Sequence, residues 1–137
     1  MGDENTKEAA STNIGFGWKP VSEQSEQDAF AVAMNKMKHQ IHENAVKHGW
    51  WDKEREDGTC IALMHSELSE CLEAMRTDFN APDKHCPTFS AVTVELADCI
   101  IRILDYCGKK NLPIAEAIVA KHKHNINRPY KHGGKAF

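Results

Sequence analysis

Residues 90–108, SAVTVELADCIIRILDYCG, decide the fold class because they are apolar around most of a helical circumference. A helix of this kind has to lie in the centre of a domain, where other helices cover several of its sides. Its polar positions form one strip, which consists of Glu95, Asp98, Arg102 and Asp105. The stretch therefore predicts a central helix whose hydrophilic side is mostly acidic.

Helical spacing and capping signals predict three further helices around this one. A capping box at Ser25 predicts the start of a first helix, which ends at Gly49. Thr59 is suited to cap a second helix, and Pro113 to begin a fourth that ends before Pro129. Because no strand pattern occurs, we predict an all-α fold, a bundle of four helices.

Apolar repeats predict which faces of the first two helices lie inward. The repeat of the first helix consists of Phe30, Met34, Met37, Ile41 and Ala45. The repeat of the second helix consists of Ile61, Met64, Leu68, Cys71 and Met75. On the second helix, Glu67 and Glu70 fall on the flank of this stripe, whereas Glu73 turns further outward.

Length and composition set the broader limits. The 137 residues predict one domain, with residues 1–20 as a flexible segment and possible substrate lid, and 21–137 as the helical domain. A net charge of −3 argues against a nucleic acid polymer as partner. The five cysteines are scattered, which is typical of reduced thiols in the cytoplasm, and no apolar run predicts a membrane segment.

The acidic pairs predict a metal site. Glu67-x-x-Glu70 and Glu95-x-x-Asp98 offer carboxylate oxygens from two helices, and buried carboxylates need a positive partner. Mg²⁺ prefers oxygen ligands of this kind, and Mn²⁺ is its expected substitute. Solvated charged faces would give the same pattern, so the spacing alone leaves both interpretations open.

The C-terminal part of the sequence is basic. From Gly108 onward there are seven lysines and arginines but one acidic residue. Lys121, Asn125 and Arg128 follow at helix-compatible spacings, and Lys131 comes directly after. An acidic metal site together with a basic strip suits a Mg²⁺-polyphosphate, although a solvated basic helix is the simpler explanation.

The ordered set of E-x-x-E, E-x-x-D and K-x-x-x-N-x-x-R-P-Y resembles the MazG-like all-α nucleoside triphosphate pyrophosphohydrolases, from about Gly49 to the C-terminus. The resemblance implies a catalytic domain that hydrolyses a nucleoside triphosphate to the monophosphate and pyrophosphate, with Mg²⁺, in a dimer or a dimer of dimers. It implies that the metal ligands are Glu67, Glu70, Glu95 and Asp98. It also implies that the phosphate ligands are Lys121, Asn125 and Arg128, to which the basic tail adds Lys131. The general base would be Glu67 or Glu70. Many members double the first acid of each pair, whereas this chain has Ser66 and Val94 at those positions.

The base-binding residues are predicted among the aromatic and apolar side chains that the helices leave unplaced. These are Ile14, Phe16, Trp18, Trp50 and Trp51. Some phage members of the family are similar in size and remove dGTP, which favours dGTP over dCTP or dUTP. The predicted location is the cytoplasm, which for a viral protein is the host cytoplasm. A non-catalytic helical module that binds a nucleotide or regulates a partner is the alternative.

Overall fold

The computed structural model describes residues 22–131, and four helices make up most of this part of the chain. They are α1 Glu23–Lys47, α2 Asp57–Asp78, α3 Ala91–Lys109 and α4 Ile114–Ile126. Between residues 22 and 131 the sole extended pairing is an isolated antiparallel bridge of Pro82 with Ser90. The predicted all-α fold with four helices is thereby confirmed. The predicted base-contacting residues Ile14, Phe16 and Trp18 lie outside the described residues.

Helix α3 lies between two other helices, as its apolar circumference predicts. It packs against both α1 and α2, whereas α4 packs against α1. Val92, Cys99 and Leu104 are buried in these contacts. Leu96 and Ile100 nevertheless remain 42% and 53% exposed, so the helices described here do not cover the whole circumference of α3.

The start of α1 corrects the predicted capping box. Ser22, not Ser25, is the N-cap residue, and its hydroxyl oxygen accepts the Ser25 backbone N–H at 3.3 Å. The Ser25 hydroxyl donates to the Ser22 carbonyl oxygen at 2.8 Å, so Ser25 belongs to the first turn. The predicted end is confirmed, since the helix stops at Lys47 and Gly49 has a φ of 78°.

The start of α2 also differs from the prediction. Thr59 was expected to cap this helix, but the helix begins two residues earlier, at Asp57, after an N-cap Glu56 without a side-chain cap. Asp57 places a negative charge in the first turn, where the helix dipole favours it, and its Oδ1 lies 2.6 Å from Lys110 Nζ. These interactions stabilise the early start.

The predicted inward stripe of α2 is wrong for three of its five members. Cys71 is buried and Met64 half-buried, but Ile61, Leu68 and Met75 are each at least 40% exposed. Helix α2 meets α3 along small side chains, with Cys71 Sγ 3.7 Å from a carbonyl oxygen of α3. Because the contact line runs through these small residues, the bulkier apolar side chains fall beside it.

Helix α4 runs antiparallel to α1. Lys38, a buried lysine of α1, donates to the carbonyl oxygen of Leu112, just before α4, at 3.0 Å. Further along α4, Lys123 Nζ lies 3.5 Å from Oε1 of Gln24, in the first turn of α1. The chain of α4 thus proceeds from the middle of α1 towards its N-terminal end. None of the described helices is both long and apolar enough to cross a membrane.

Candidate metal centre

Three carboxylates from two helices converge beside the α2–α3 contact. Glu67 of α2 with Glu95 and Asp98 of α3 each offer an oxygen, and these oxygens lie within 4.8 Å of one another. Glu67 is only 5% exposed, while Glu95 and Asp98 are half-buried. The structure therefore brings together three of the four predicted metal ligands.

The fourth predicted ligand, Glu70, lies nearby but is exposed. Three residues advance a helix by about 300°, so Glu70 points about 60° away from Glu67. Glu67 shares the inward side of α2 with Cys60 and Cys71, which holds its carboxylate against α3. Glu73 is exposed, as predicted.

Two carboxylates of the cluster, Glu95 and Asp98, have raised pKa values. Burial raises the pKa of Glu95 above its usual value, and repulsion from Glu70, Glu67 and Asp98 adds to the effect. Burial and Glu67 likewise raise the pKa of Asp98. Negative charge at the cluster is therefore incompletely compensated, and oxygen ligands in this state suit a hard divalent cation.

Arg102 supplies part of the compensation. Its Nε donates a hydrogen bond to Glu67 Oε1, and its charge opposes part of the rise in the pKa of Asp98. Arg102 follows Asp98 by one turn on the polar strip of α3, which places it beside the cluster. Among residues 22–131, it is the one cation in an ion pair with these three acids.

The cluster opens into a cavity of about 850 Å³, a size typical of small-molecule sites. Its acidic lining consists of Glu67, Glu70, Asp83, Glu95, Asp98 and Asp105. Its cationic lining consists of Arg55, Lys84, Arg102 and, when protonated, His85. The lining also includes the amides of Gln40 and Asn44 and the apolar side chains of Ile41 and Trp50.

The two tryptophans have different roles in the structure. Trp50 lines the cavity and is 55% exposed, with the Arg55 guanidinium 5.4 Å from the centre of its ring. Trp51 does not line this cavity and donates its indole N–H to Asp105 at 2.9 Å. The same Asp105 Oδ1 lies 2.7 Å from His42 Nδ1. Trp50 is thus available to stack on a ligand, whereas Trp51 ties the α1–α2 connection to α3.

The predicted phosphate ligands are not near the acidic cluster of the same chain. Lys121, Asn125, Arg128 and Lys131 are all exposed, and none lines the cavity. Helix α4 reaches Gln24, which is 16 residues (40 − 24) before the cavity residue Gln40. At about 1.5 Å per residue, this is about 24 Å along α1.

Sequence reasoning missed the lysine and the histidine of the α2–α3 loop that line the cavity. Lys84 and His85 line the cavity, although their positions between two prolines gave no helical or motif signal. The usable signal was Asp83, because an aspartate in a loop often fixes a turn with its own carboxylate. Its Oδ1 accepts the backbone N–H groups of His85 at 2.8 Å and Cys86 at 2.7 Å.

Comparison with known proteins gives no assignment: no protein-family model, no characterised protein and no solved structure matches the chain. The resemblance to the MazG-like pyrophosphohydrolases thus rests on the sequence motifs alone.

Proposed function

We propose that the protein is a Mg²⁺-dependent nucleoside triphosphate pyrophosphohydrolase of the MazG-like type. The observation that carries this proposal is the convergence of Glu67, Glu95 and Asp98 in a cavity that also contains the exposed ring of Trp50. A metal–carboxylate centre beside an aromatic surface fits a substrate that combines phosphates with a flat base. Mn²⁺ is the expected substitute for Mg²⁺.

The reaction is the attack of water on the α-phosphorus. The new bond joins the water oxygen to this phosphorus, and the bond to the bridging oxygen breaks, so that pyrophosphate leaves with the electron pair. A divalent cation held by the three carboxylates would activate the water and offset charge on the α-phosphate. Glu67 and Glu70 both line the cavity, but Glu67 is bonded to Arg102, so Glu70 is the better candidate for the proton acceptor.

Product analysis with each of the four dNTPs tests this proposal. We expect the monophosphate and pyrophosphate as first products, with Mg²⁺ required. Glu95→Gln and Asp98→Asn should each abolish turnover while the protein stays folded, and Glu73→Gln, on an exposed face of α2, should be active. Orthophosphate and a nucleoside diphosphate as first products would contradict the mechanism.

The base is proposed to lie against Trp50, with the amides of Gln40 and Asn44 near its edge. We propose dGTP as the substrate, on the resemblance to phage members of the family, with dCTP and dUTP as the pyrimidine alternatives. The rates with the four dNTPs decide between these substrates. A preference for dCTP or dUTP would replace dGTP without changing the reaction.

The Arg102–Glu67 ion pair favours a second candidate, a nucleotide-binding or regulatory module without turnover. A guanidinium can neutralise a carboxylate that a catalytic metal would otherwise use. Binding of dNTP to the wild-type protein with no pyrophosphate released in Mg²⁺ or Mn²⁺ would support this candidate.

We also propose a homo-oligomer, a dimer or tetramer, in the cytoplasm. All five cysteines are unpaired, which fits a reducing compartment. Exposed apolar side chains on α2 and α3 offer a surface for a second copy. In such an oligomer, the predicted phosphate ligands of one chain would contact a substrate bound in the cavity of a neighbouring chain. These ligands are Lys121, Asn125, Arg128 and Lys131.

A further inference from the structure

Residues from several turns of α3 line the cavity, and the lining near the two ends of this stretch differs in chemistry. Glu95, Asp98, Arg102 and Asp105 line it at intervals of about one turn. The ten residues from Glu95 to Asp105 correspond to about 15 Å along the helix. Because Trp51 donates to Asp105, the tryptophan pair lies at the Asp105 end. The acidic cluster occupies the opposite half.

The loop formed by residues 79–90 lies at the Glu95 end because it leads directly into α3. It is held by defined bonds: the Asp83 N–H donates to the Phe89 carbonyl oxygen and the Ala91 N–H to the Ala81 carbonyl oxygen, both at 2.9 Å. Asp83 itself is buried, and its carboxylate accepts two backbone N–H groups. The loop thus has a fixed conformation at the rim of the cavity.

This fixed loop presents the Lys84 ammonium and the His85 imidazole to the cavity. Both are exposed, so a ligand can reach them. Within residues 22–131, Lys84 forms no ion pair, whereas Arg102 is bonded to Glu67 and Arg55 lies over Trp50. Lys84 and His85 are therefore the hydrogen-bond donors at the cluster end of the cavity that are available to an anion.

Resting on the proposed function, we infer that the 79–90 loop is the pyrophosphate-binding element of the site. With the base against Trp50 and the α-phosphate at the acidic cluster, the β- and γ-phosphates extend towards Lys84 and His85. The lysine ammonium and the imidazole donate hydrogen bonds to phosphate oxygens and stabilise the leaving pyrophosphate. Asp83 is a positioning residue, because its carboxylate fixes the turn that carries both side chains. This assignment gives the phosphates cationic partners within one chain.

The test is binding of inorganic tripolyphosphate to the full chain in Mg²⁺, measured by calorimetry. We expect the double variant Lys84→Gln/His85→Gln to weaken tripolyphosphate binding about tenfold or more, because charge-assisted hydrogen bonds are lost. Binding of dGMP, which lacks the β- and γ-phosphates, should stay unchanged, and KM for the preferred dNTP should rise. Lys36→Gln, which removes an exposed lysine of α1, is the matched control and should bind tripolyphosphate as the wild type does.

Two results would overturn the inference, and they differ from each other. If Lys121→Gln weakens tripolyphosphate binding while the loop variant binds normally, the phosphates lie at the basic strip of α4 and the proposed function stands. If the wild-type protein binds neither tripolyphosphate nor dNTP in Mg²⁺ and releases no pyrophosphate, the proposed function fails and the inference fails with it.

Discussion

At the scale of single residues, Arg102 is the most sensitive position of the candidate site. Glu67 is nearly inaccessible to water, so its carboxylate depends on the bond from Arg102. Arg102→Met would leave this charge unpaired, and we expect the metal-free protein to lose about 3 kcal/mol of unfolding free energy. Denaturant titration measures the loss, and Mg²⁺ should restore more stability to the variant than it adds to the wild type.

Arg76→Met is the matched control for this substitution. Arg76 pairs with Glu73 at 4.0 Å, and both side chains are largely exposed. Exposed pairs of this kind contribute at most about 1 kcal/mol. If Arg102→Met is no less stable than Arg76→Met, the ion pair with Glu67 has no structural importance.

The raised pKa of Glu95 predicts how stability depends on pH. A carboxyl whose pKa is higher in the folded than in the unfolded state destabilises the fold when it is ionised. Metal-free Glu95→Gln should therefore melt a few degrees above the wild type at pH 7. This difference should fade as the pH falls through the raised pKa towards the ordinary value of 4.5. The comparison is made by thermal melting in a chelator, with Glu73→Gln as the control.

Other charged groups at the cluster are the same in both proteins, so the comparison isolates Glu95. They are Glu67, Glu70, Asp98, Arg102, Asp83 and His85. Equal profiles of melting temperature against pH for the wild type and Glu95→Gln would show that burial and repulsion at Glu95 do not destabilise the fold. In Mg²⁺ the order should reverse, because the wild type gains a ligand that the variant binds less well.

At the scale of helices, the contact of α1 with α3 depends on Gly108. A Cβ atom at this position would lie 2.6 Å from the Cβ of His42, which also bonds to Asp105. We expect Gly108→Ala to push the helices apart and cost about 1–3 kcal/mol. Gly58→Ala is the control, since no atom lies within 4 Å of its new Cβ and alanine favours helix by up to about 1 kcal/mol. Thermal melts that rank Gly108→Ala at or above the wild type would contradict this packing argument.

Helix periodicity predicted the number and order of the helices well, but it predicted less well which face of each helix lies inward. The central position of α3 and its polar strip followed from one stretch, because an apolar circumference has few alternatives. On α2, the longest apolar side chains suggested the core, but small residues make the contact with α3 and Glu67 lies inward. A helical wheel contains no information on how closely two helix backbones approach each other. The exposure of the larger apolar side chains and the burial of Glu67 both depend on this distance, so neither was predictable from the sequence.

The positions of the cations illustrate a second limit. The motif spacing in 121–128 is visible in the sequence, but the antiparallel packing of α4 on α1 is a tertiary contact that carries this strip away from the cluster. Conversely, Lys84 and His85 reach the cavity through a turn that depends on one aspartate. The helical period predicts which residues share a helix face. The position of a loop residue relative to the cavity can be known only from the three-dimensional structure.

At the scale of the whole molecule, the apolar surface predicts association. Leu68 and Leu72 of α2 and Leu96 and Ile100 of α3 are between 42% and 53% exposed. On α2, Leu68 lies about 100° beyond Glu67, whereas Glu70 lies about 60° before it, so the apolar side chains are on the side away from Glu70. Exposed apolar stripes on adjacent helices are typical of an interface between copies of a chain.

We therefore expect light scattering to give at least a dimer at micromolar concentration. Leu96→Glu should shift the mass towards the monomer, because a charge would then have to be buried at the centre of the interface. Val32→Glu is the control, since Val32 is 72% exposed on α1 and outside the α2–α3 surface. A monomeric wild type, or a Leu96→Glu variant with the mass of the wild type, would exclude this surface as the interface. If Lys121 of one chain contacts phosphates bound in the cavity of a neighbouring chain, the monomeric variant should lose any contribution of Lys121 to tripolyphosphate binding. The contribution of Lys84 should persist, because Lys84 lines the cavity of its own chain.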